Sequence, residues 1–124
     1  QELSDLHRAC NALVLTSAFE GLPFVVLEAL ACGTPIVTTE AGETPSLLSA
    51  NSGVVCSQRT TECIASALRK VVMHPENYPV EECVKIAAPY AASTVVNQVY
   101  SQMWQRWEQR LEKSVNTKAL INLN

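Results

Sequence analysis

The stretch FEGLPFVVLEALACGTPIV, residues 19–37, carries the clearest structural signals in the chain. Glycine and proline form a turn before a long apolar segment, which a second glycine then ends. Proline is favoured at the start of a helix and glycine just after its end, so we predict a helix from Pro23 or Phe24 to Gly33. The β-branched run at residues 35–38 predicts a strand directly after it.

Outward from this stretch, strands and helices alternate. Short apolar runs predict buried strands at residues 12–15 and 53–56, besides the one at residues 35–38. Polar and apolar patterning predicts further helices at residues 2–10, 45–49, 61–73, 80–88 and 93–113. This alternation favours an α/β fold, a partial Rossmann-like parallel sheet flanked by helices. The last eleven residues show no clear pattern, so we predict one domain at 1–113 and a tail at 114–124.

The composition excludes some classes of protein. Of 124 residues, 48% are hydrophobic and 17% charged, as in a globular domain, and the net charge of −3 argues against a nucleic-acid binder. Five cysteines without a C-x-x-C pair favour reduced thiols, several of them in the core, and hence a cytoplasmic location. We recognise no signal-peptide pattern, and no apolar run in the sequence approaches the roughly 18 residues of a membrane span.

The turn before the predicted helix has the chemistry of an anion site. Unpaired N–H groups in the first turn of a helix, together with the helix dipole, attract negative charge. Pro23 has no N–H, so we expect the donors to be Phe24 and Val25, with Gly21 and Leu22 adding theirs. We call these four N–H groups the amide site.

Two carboxylates flank the amide site. Glu28 is the one charged residue of an apolar helix, and Glu20 precedes the turn. A carboxylate buried without partners costs several kcal/mol, whereas it can accept two hydroxyl hydrogen bonds from a sugar or ribose diol. Glu28 as an ordinary residue at the edge of a half-exposed helix is the alternative, and the spacing of eight residues does not exclude it.

The string EGLPFVVLEALACGTPIV, residues 20–37, resembles the E-x7-E signature of retaining glycosyltransferases of family 4, which have the GT-B fold. Residues 5–21 are similar to the helix, strand and "PS…EG" loop of that family, and residues 38–56 to its "GG…E" loop; the resemblance extends to about Lys113. It implies that Glu20, as the catalytic residue, contacts the transferred sugar and Glu28 the ribose. The backbone of Gly21, Leu22, Pro23, Phe24 and Val25 then meets the donor sugar and diphosphate, without a metal or a further cofactor.

The sequence also departs from the family pattern. Thr16 replaces a proline, Ser46 replaces an acidic residue, and Glu43 replaces the second glycine, where we expect it to crowd the backbone. The Arg and Lys that stabilise the leaving diphosphate in this family, and its acceptor-binding N-terminal domain, belong before Gln1. The resemblance therefore implies that the chain is the C-terminal, donor-binding half of a longer enzyme and is inactive alone. It implies that the acceptor of the whole enzyme is a glycan, a lipid or a small molecule, and it is compatible with peripheral membrane contact.

Other interpretations remain open at this stage. A sugar-nucleotide epimerase of the same fold and a non-catalytic nucleotide-sugar-binding or partner-stabilising subunit are the alternatives. His7 and His74 are isolated and favour surface or helix-end positions, and Ser17 favours a hydrogen bond within its loop. The last helix carries an apolar stripe, which predicts a surface that faces the core. If the resemblance holds, the stripe is instead exposed and promotes self-association of the chain. The stripe consists of Val96, Tyr100, Met103, Trp107 and Leu111, with Trp104 beside them.

Overall fold

The computed structural model describes the backbone of residues 2–121 and the side chains of residues 2–111. Three parallel strands form a sheet in the order β1 (Leu13–Leu15), β2 (Ile36–Thr39), β3 (Gly53–Cys56). The α-helices are α1 (Glu2–Ala9), α2 (Phe24–Ala31), α3 (Thr44–Leu47), α4 (Thr61–Met73), α5 (Val80–Ala87) and α6 (Ala92–Ile121). Two short 3₁₀ turns, Pro75–Asn77 and Ala88–Tyr90, join the later helices. The predicted α/β fold class and the predicted order of elements are confirmed.

The middle strand explains why the fold needs helices on both sides. All four residues of β2 are buried. Successive side chains of a strand point to opposite faces, and Ile36 packs with residues of α2 and α5, whereas Val37 packs with residues of α4. An unbroken β-branched run therefore suits this strand better than an alternating pattern, as is usual for parallel sheets covered on both faces.

The first strand differs from its prediction. We predicted a buried strand, but no residue of β1 is fully buried: Leu13 and Leu15 are half-buried, and Val14 is 38% exposed. The strand lies at the edge of the described sheet and pairs with β2 alone. Its apolar sequence does not reveal this position, because an edge strand and a central strand can carry the same residues.

The glycine after α2 ends that helix as predicted. Gly33 has a φ of 82° and its N–H donates to the carbonyl of Leu30 at 3.0 Å, while the N–H of Thr34 donates to Ala29 at 2.9 Å. These two bonds form a Schellman motif and satisfy carbonyls that the helix end leaves free. The chain then turns directly into β2.

The described residues divide into a first unit that ends at Pro89 and a second that begins at Tyr90. The second contains α6, which runs to Ile121, past the predicted end at Lys113, because no glycine or proline interrupts the following residues. The apolar stripe of α6 is exposed, so its interpretation as a core-facing surface is wrong. Residues 122–124 of the predicted tail lie outside the described residues, and the domain boundaries stay a prediction.

Within residues 2–121, none of the helices combines the length and the apolar composition that a bilayer crossing requires.

Candidate functional site

Two loops meet at the carboxyl edge of the sheet, one after β1 and one after β2. Gly42, in the second loop, lies so close to the first that an added Cβ would come within 2.3 Å of the carbonyl oxygen of Glu20 and 2.4 Å of that of Gly21. The N–H of Glu43 donates to the carbonyl of Gly21 at 3.1 Å. The loop after β2 therefore supports the turn between Glu20 and α2.

This geometry corrects the expectation that Glu43 crowds the backbone. Glu43 has a φ of −87°, in the right-handed region open to any residue, and its side chain is exposed. The close approach falls on Gly42, whose φ of 64° also favours glycine. The backbone at position 43, where the family pattern has its second glycine, therefore does not require glycine here.

The carboxylate of Glu20 is held by a chain of hydrogen bonds. The hydroxyl of Ser17 donates to Oε1 of Glu20 at 2.6 Å, and the hydroxyl of Thr39, at the end of β2, donates to the carbonyl of Ser17 at 2.7 Å. The prediction that Ser17 hydrogen-bonds within its loop is confirmed. Glu20 itself is exposed, so its second oxygen can accept a hydrogen bond from a ligand hydroxyl.

The amide site lies where α2 begins. Pro23 is the N-cap, with φ −69° and ψ 129°, and the first helical residue is Phe24. The N–H of Val26 donates to the carbonyl of Pro23 at 3.1 Å, whereas the first-turn N–H groups of Phe24 and Val25 have no acceptor among the described hydrogen bonds. These two donors are therefore free for an anion.

Space around the turn is open. A Cβ added to Gly21 would meet no atom within 4 Å, and the ring of Phe24 is 80% exposed, while Leu22 and Val25 are half-buried. A ligand can therefore approach the backbone between Glu20 and α2 without displacing protein atoms. The fold itself does not require a glycine at position 21.

Glu28 lies one helical turn beyond Phe24 and is exposed. It borders a cavity of about 320 Å³, whose lining residues come from α1 and the end of α2: Leu3, Ser4, His7, Glu28, Ala31 and Cys32. The carboxylate thus keeps access to water and to any ligand in this cavity. The structure does not bury it unpaired, which agrees with the cost of such burial.

The histidines differ from one another. His7 does lie in the last turn of α1, but it is only 6% exposed, and its Nε2 is one of the buried side-chain atoms without a hydrogen-bond partner among the described residues. Of the two predicted positions, His7 therefore occupies the helix end and not the surface. Leu3 and Leu6, the apolar residues of α1, are both exposed. His74 is exposed, 3.2 Å from Glu76, at the end of α4.

A second cavity, of about 250 Å³, lies at the same edge of the sheet and draws residues from the ends of all three strands. Its lining residues are Ser17, Ala18, Thr39, Glu40, Cys56, Ser57 and Arg59. Sequence reasoning did not assign Thr39, Gly42 or Arg59 to the site. The rule that ligands bind outside the carboxyl ends of parallel strands is the signal that points to them. Among residues 2–111, no three His, Cys, Asp or Glu side chains come together to hold a metal ion.

With this site in view, comparison with known proteins assigns the class of the chain. It matches the family model of the group 1 glycosyl transferases over residues 1–87, and it therefore belongs to that family. The match includes the whole of the Glu20–Glu28 segment and all three strands.

Several curated proteins are similar to this chain. A D-inositol 3-phosphate glycosyltransferase of Saccharomonospora viridis is 36% identical over 77 residues, 61% of this chain and 18% of its own length. A glycogen synthase of Mycobacterium tuberculosis is 40% identical over 74 residues, 59% of this chain and 18% of its own. A GDP-mannose-dependent alpha-(1-6)-phosphatidylinositol dimannoside mannosyltransferase of M. tuberculosis is 37% identical over 82 residues, 61% of this chain and 21% of its own.

A solved structure shows the same fold. Sucrose-phosphate synthase from Thermosynechococcus elongatus superposes with a TM-score of 0.70 at 20% identity, over 85% of this chain and 28% of that one. At this identity the likeness concerns the fold alone. The chain thus spans about a fifth of the length of these three curated relatives, at 18–21%.

Proposed function

We propose that this chain provides the nucleotide-sugar-binding region of a retaining glycosyltransferase, which transfers a sugar from a nucleotide-diphosphate sugar to an acceptor. The observation that carries the proposal is the arrangement of one segment: an exposed Glu20 oriented by Ser17, then free N–H groups at the start of α2, then an exposed Glu28 one turn on. Membership of the group 1 family supports sugar transfer as the reaction.

Each part of the segment has a proposed role. Glu20 orients the transferred sugar by accepting hydrogen bonds from its hydroxyls, and Glu28 accepts those of the ribose diol. The amide site binds the diphosphate between them. Two carboxylates placed directly on a phosphate would repel it, so we assign them to hydroxyls on either side.

The amide site also has a role in the reaction. As the bond between sugar and phosphate breaks, negative charge grows on the departing diphosphate, and N–H groups already aimed at it stabilise that charge. In the retaining reaction that the family resemblance implies, the departing phosphate helps to deprotonate the acceptor, and the anomeric configuration is kept. Because the chain spans about a fifth of the length of its curated relatives, we expect residues outside it to supply the acceptor site and the cations facing the diphosphate. On its own it should bind donor weakly and transfer no sugar.

Calorimetric titration of the full-length protein that contains this chain, with UDP-glucose, ADP-glucose and GDP-mannose, tests the proposal. GDP-mannose is included because one relative is named as dependent on it. We expect one of the three to bind, and Glu28→Gln to weaken that binding by about 10- to 100-fold, the value of one or two hydrogen bonds to a charged group.

Glu62→Gln is the matched control, since Glu62 is an exposed carboxylate in the first turn of another helix, α4. It should leave donor affinity unchanged. If Glu28→Gln left donor affinity unchanged, the proposal that Glu28 binds the ribose would fail. If both variants lost the same donor affinity, the loss would reflect a general effect of charge. If none of the three nucleotide sugars binds, the proposal that this region holds the donor fails.

A further inference from the structure

Two of the five cysteines lie together where β3 leads into α4. Cys56 is the last residue of β3, and Cys63 lies in the first turn of α4. The intervening loop turns back on itself, so that Cys63 packs against the buried cluster to which Cys56 belongs. Thr60 fixes this turn, because its hydroxyl accepts the N–H of Cys63 at 3.3 Å.

The two thiols have different environments. Cys63 is half-buried, and the backbone N–H of Gln58, with help from Cys56 and Ser57, lowers the pKa of its thiol. Cys56 is 2% exposed, and burial, followed by the neighbouring Cys63 thiol, raises its pKa. The thiolate is the reactive form of cysteine. Cys63 is therefore suited to react first with a small oxidant, and Cys56 to react with it second.

We propose that Cys56 and Cys63 form a dithiol site that hydrogen peroxide converts reversibly into a disulfide. The Cys63 thiolate attacks one peroxide oxygen and the O–O bond breaks, which gives a sulfenic acid and hydroxide; sulfur is oxidised and peroxide reduced. The Cys56 sulfur then attacks the Cys63 sulfur, and the S–S bond forms as the S–OH bond breaks. The Cys56 proton and the hydroxyl leave as water. A dithiol reductant reverses the reaction by thiol–disulfide exchange.

The other cysteines provide the comparison. Cys10 is exposed and Cys32 half-buried, and both border a cavity of about 650 Å³ that Cys56 and Cys63 do not line. Cys83 is fully buried between α2 and α5. Exposure alone favours oxidation of Cys10, whereas the proposed site favours Cys63.

The experiment counts thiols by mass spectrometry. The folded protein is treated with hydrogen peroxide, denatured and alkylated; we expect three of the five thiols to remain, and all five after dithiothreitol. Cleavage after Lys, Arg and Glu separates the cysteines, because peptide 44–59 contains Cys56 alone and peptide 63–69 contains Cys63 alone. A disulfide between these two peptides supports the site. Five remaining thiols, or a disulfide between other peptides, would overturn it.

Variants separate the two roles. In Cys56→Ala, oxidation should stop at the sulfenic acid of Cys63, trapped by dimedone, and in Cys63→Ala no disulfide should form. Cys10→Ala should behave as the wild type; circular dichroism checks that each variant is folded. A disulfide that persists in Cys63→Ala would contradict the proposal. These measurements require no nucleotide sugar, so their outcome is independent of the proposed transferase function.

Discussion

Gly21 and Gly42 lie in contact across the two loops of the candidate site, but they are glycines for different reasons. At Gly42 the φ is 64° and an added Cβ would press into two backbone carbonyls, so the fold itself requires glycine. At Gly21 the φ is not positive and the space beside the backbone is empty. The fold therefore does not require glycine at position 21. Close approach of a ligand to the free N–H groups beside it would explain why glycine is present there.

The two alanine variants should therefore separate stability from binding. We expect Gly42→Ala to lower the free energy of unfolding by about 2–4 kcal/mol, from positive-φ strain together with overpacking. Gly21→Ala should change it by less than about 0.5 kcal/mol, as is usual for substitutions without a structural cause, and should weaken donor binding. Denaturant unfolding followed by circular dichroism measures the first quantity and calorimetry the second.

Either half of this prediction can fail on its own. A large loss of stability in Gly21→Ala would mean that the fold needs glycine there. Full donor affinity in a stable Gly21→Ala protein would mean that the ligand does not approach this part of the backbone.

At the scale of elements, the contact between α2 and α5 fixes the helix that carries the amide site. Cys83 of α5 is fully buried against α2, and this burial, followed by the nearby charge of Glu82, raises the pKa of its thiol from 9.0 to about 11. Ionisation of Cys83 would place a charge in this core. The pairing of the two helices should therefore depend on pH in the alkaline range.

The sign of this effect follows from proton binding. Well below pH 9 the thiol is neutral whether the chain is folded or unfolded, and its contribution to stability is complete. Between about pH 9 and 11 the unfolded chain loses the proton while the folded chain keeps it, so stability falls by about 2–3 kcal/mol. We expect the wild type to lose this much more than Cys83→Ala over that range, as measured by denaturant unfolding at each pH. Parallel curves for the two proteins would contradict the prediction.

The elements also show how far the sequence allows prediction. Glu20, the turn and Glu28 lie on one continuous segment, whose glycine, proline and apolar run define its local structure, so that the turn and the helix after it could be predicted. Thr39 at the end of β2, Gly42 and Arg59 belong to other parts of the chain, and only the pairing of the strands brings them near. The edge position of β1 and the burial of His7 likewise depend on packing between elements, which no local pattern encodes.

At the scale of the whole molecule, the second unit presents an apolar surface. The side chains of the stripe on α6 are exposed, and the rings of Trp104 and Trp107 lie 5.2 Å apart at an angle of 53°. The indole N–H of Trp104 donates to Glu108 at 2.7 Å, and the two tryptophan side chains are 59% and 52% exposed. Contiguous exposed apolar patches are characteristic of interaction surfaces.

We therefore expect the chain to self-associate through this stripe. The average mass measured by light scattering should rise with protein concentration, and Trp107→Glu should reduce the rise, because a charge in the patch must stay hydrated when two copies approach. Gln105→Glu is the matched control: it adds the same charge at an exposed position, but at about 100° per residue it lies on a different side of the helix. A mass that stays monomeric at all concentrations would contradict the prediction. If both variants reduced the concentration-dependent rise in mass equally, the effect would come from net charge. Association through the stripe predicts a larger reduction for the change at position 107 than for the change at position 105.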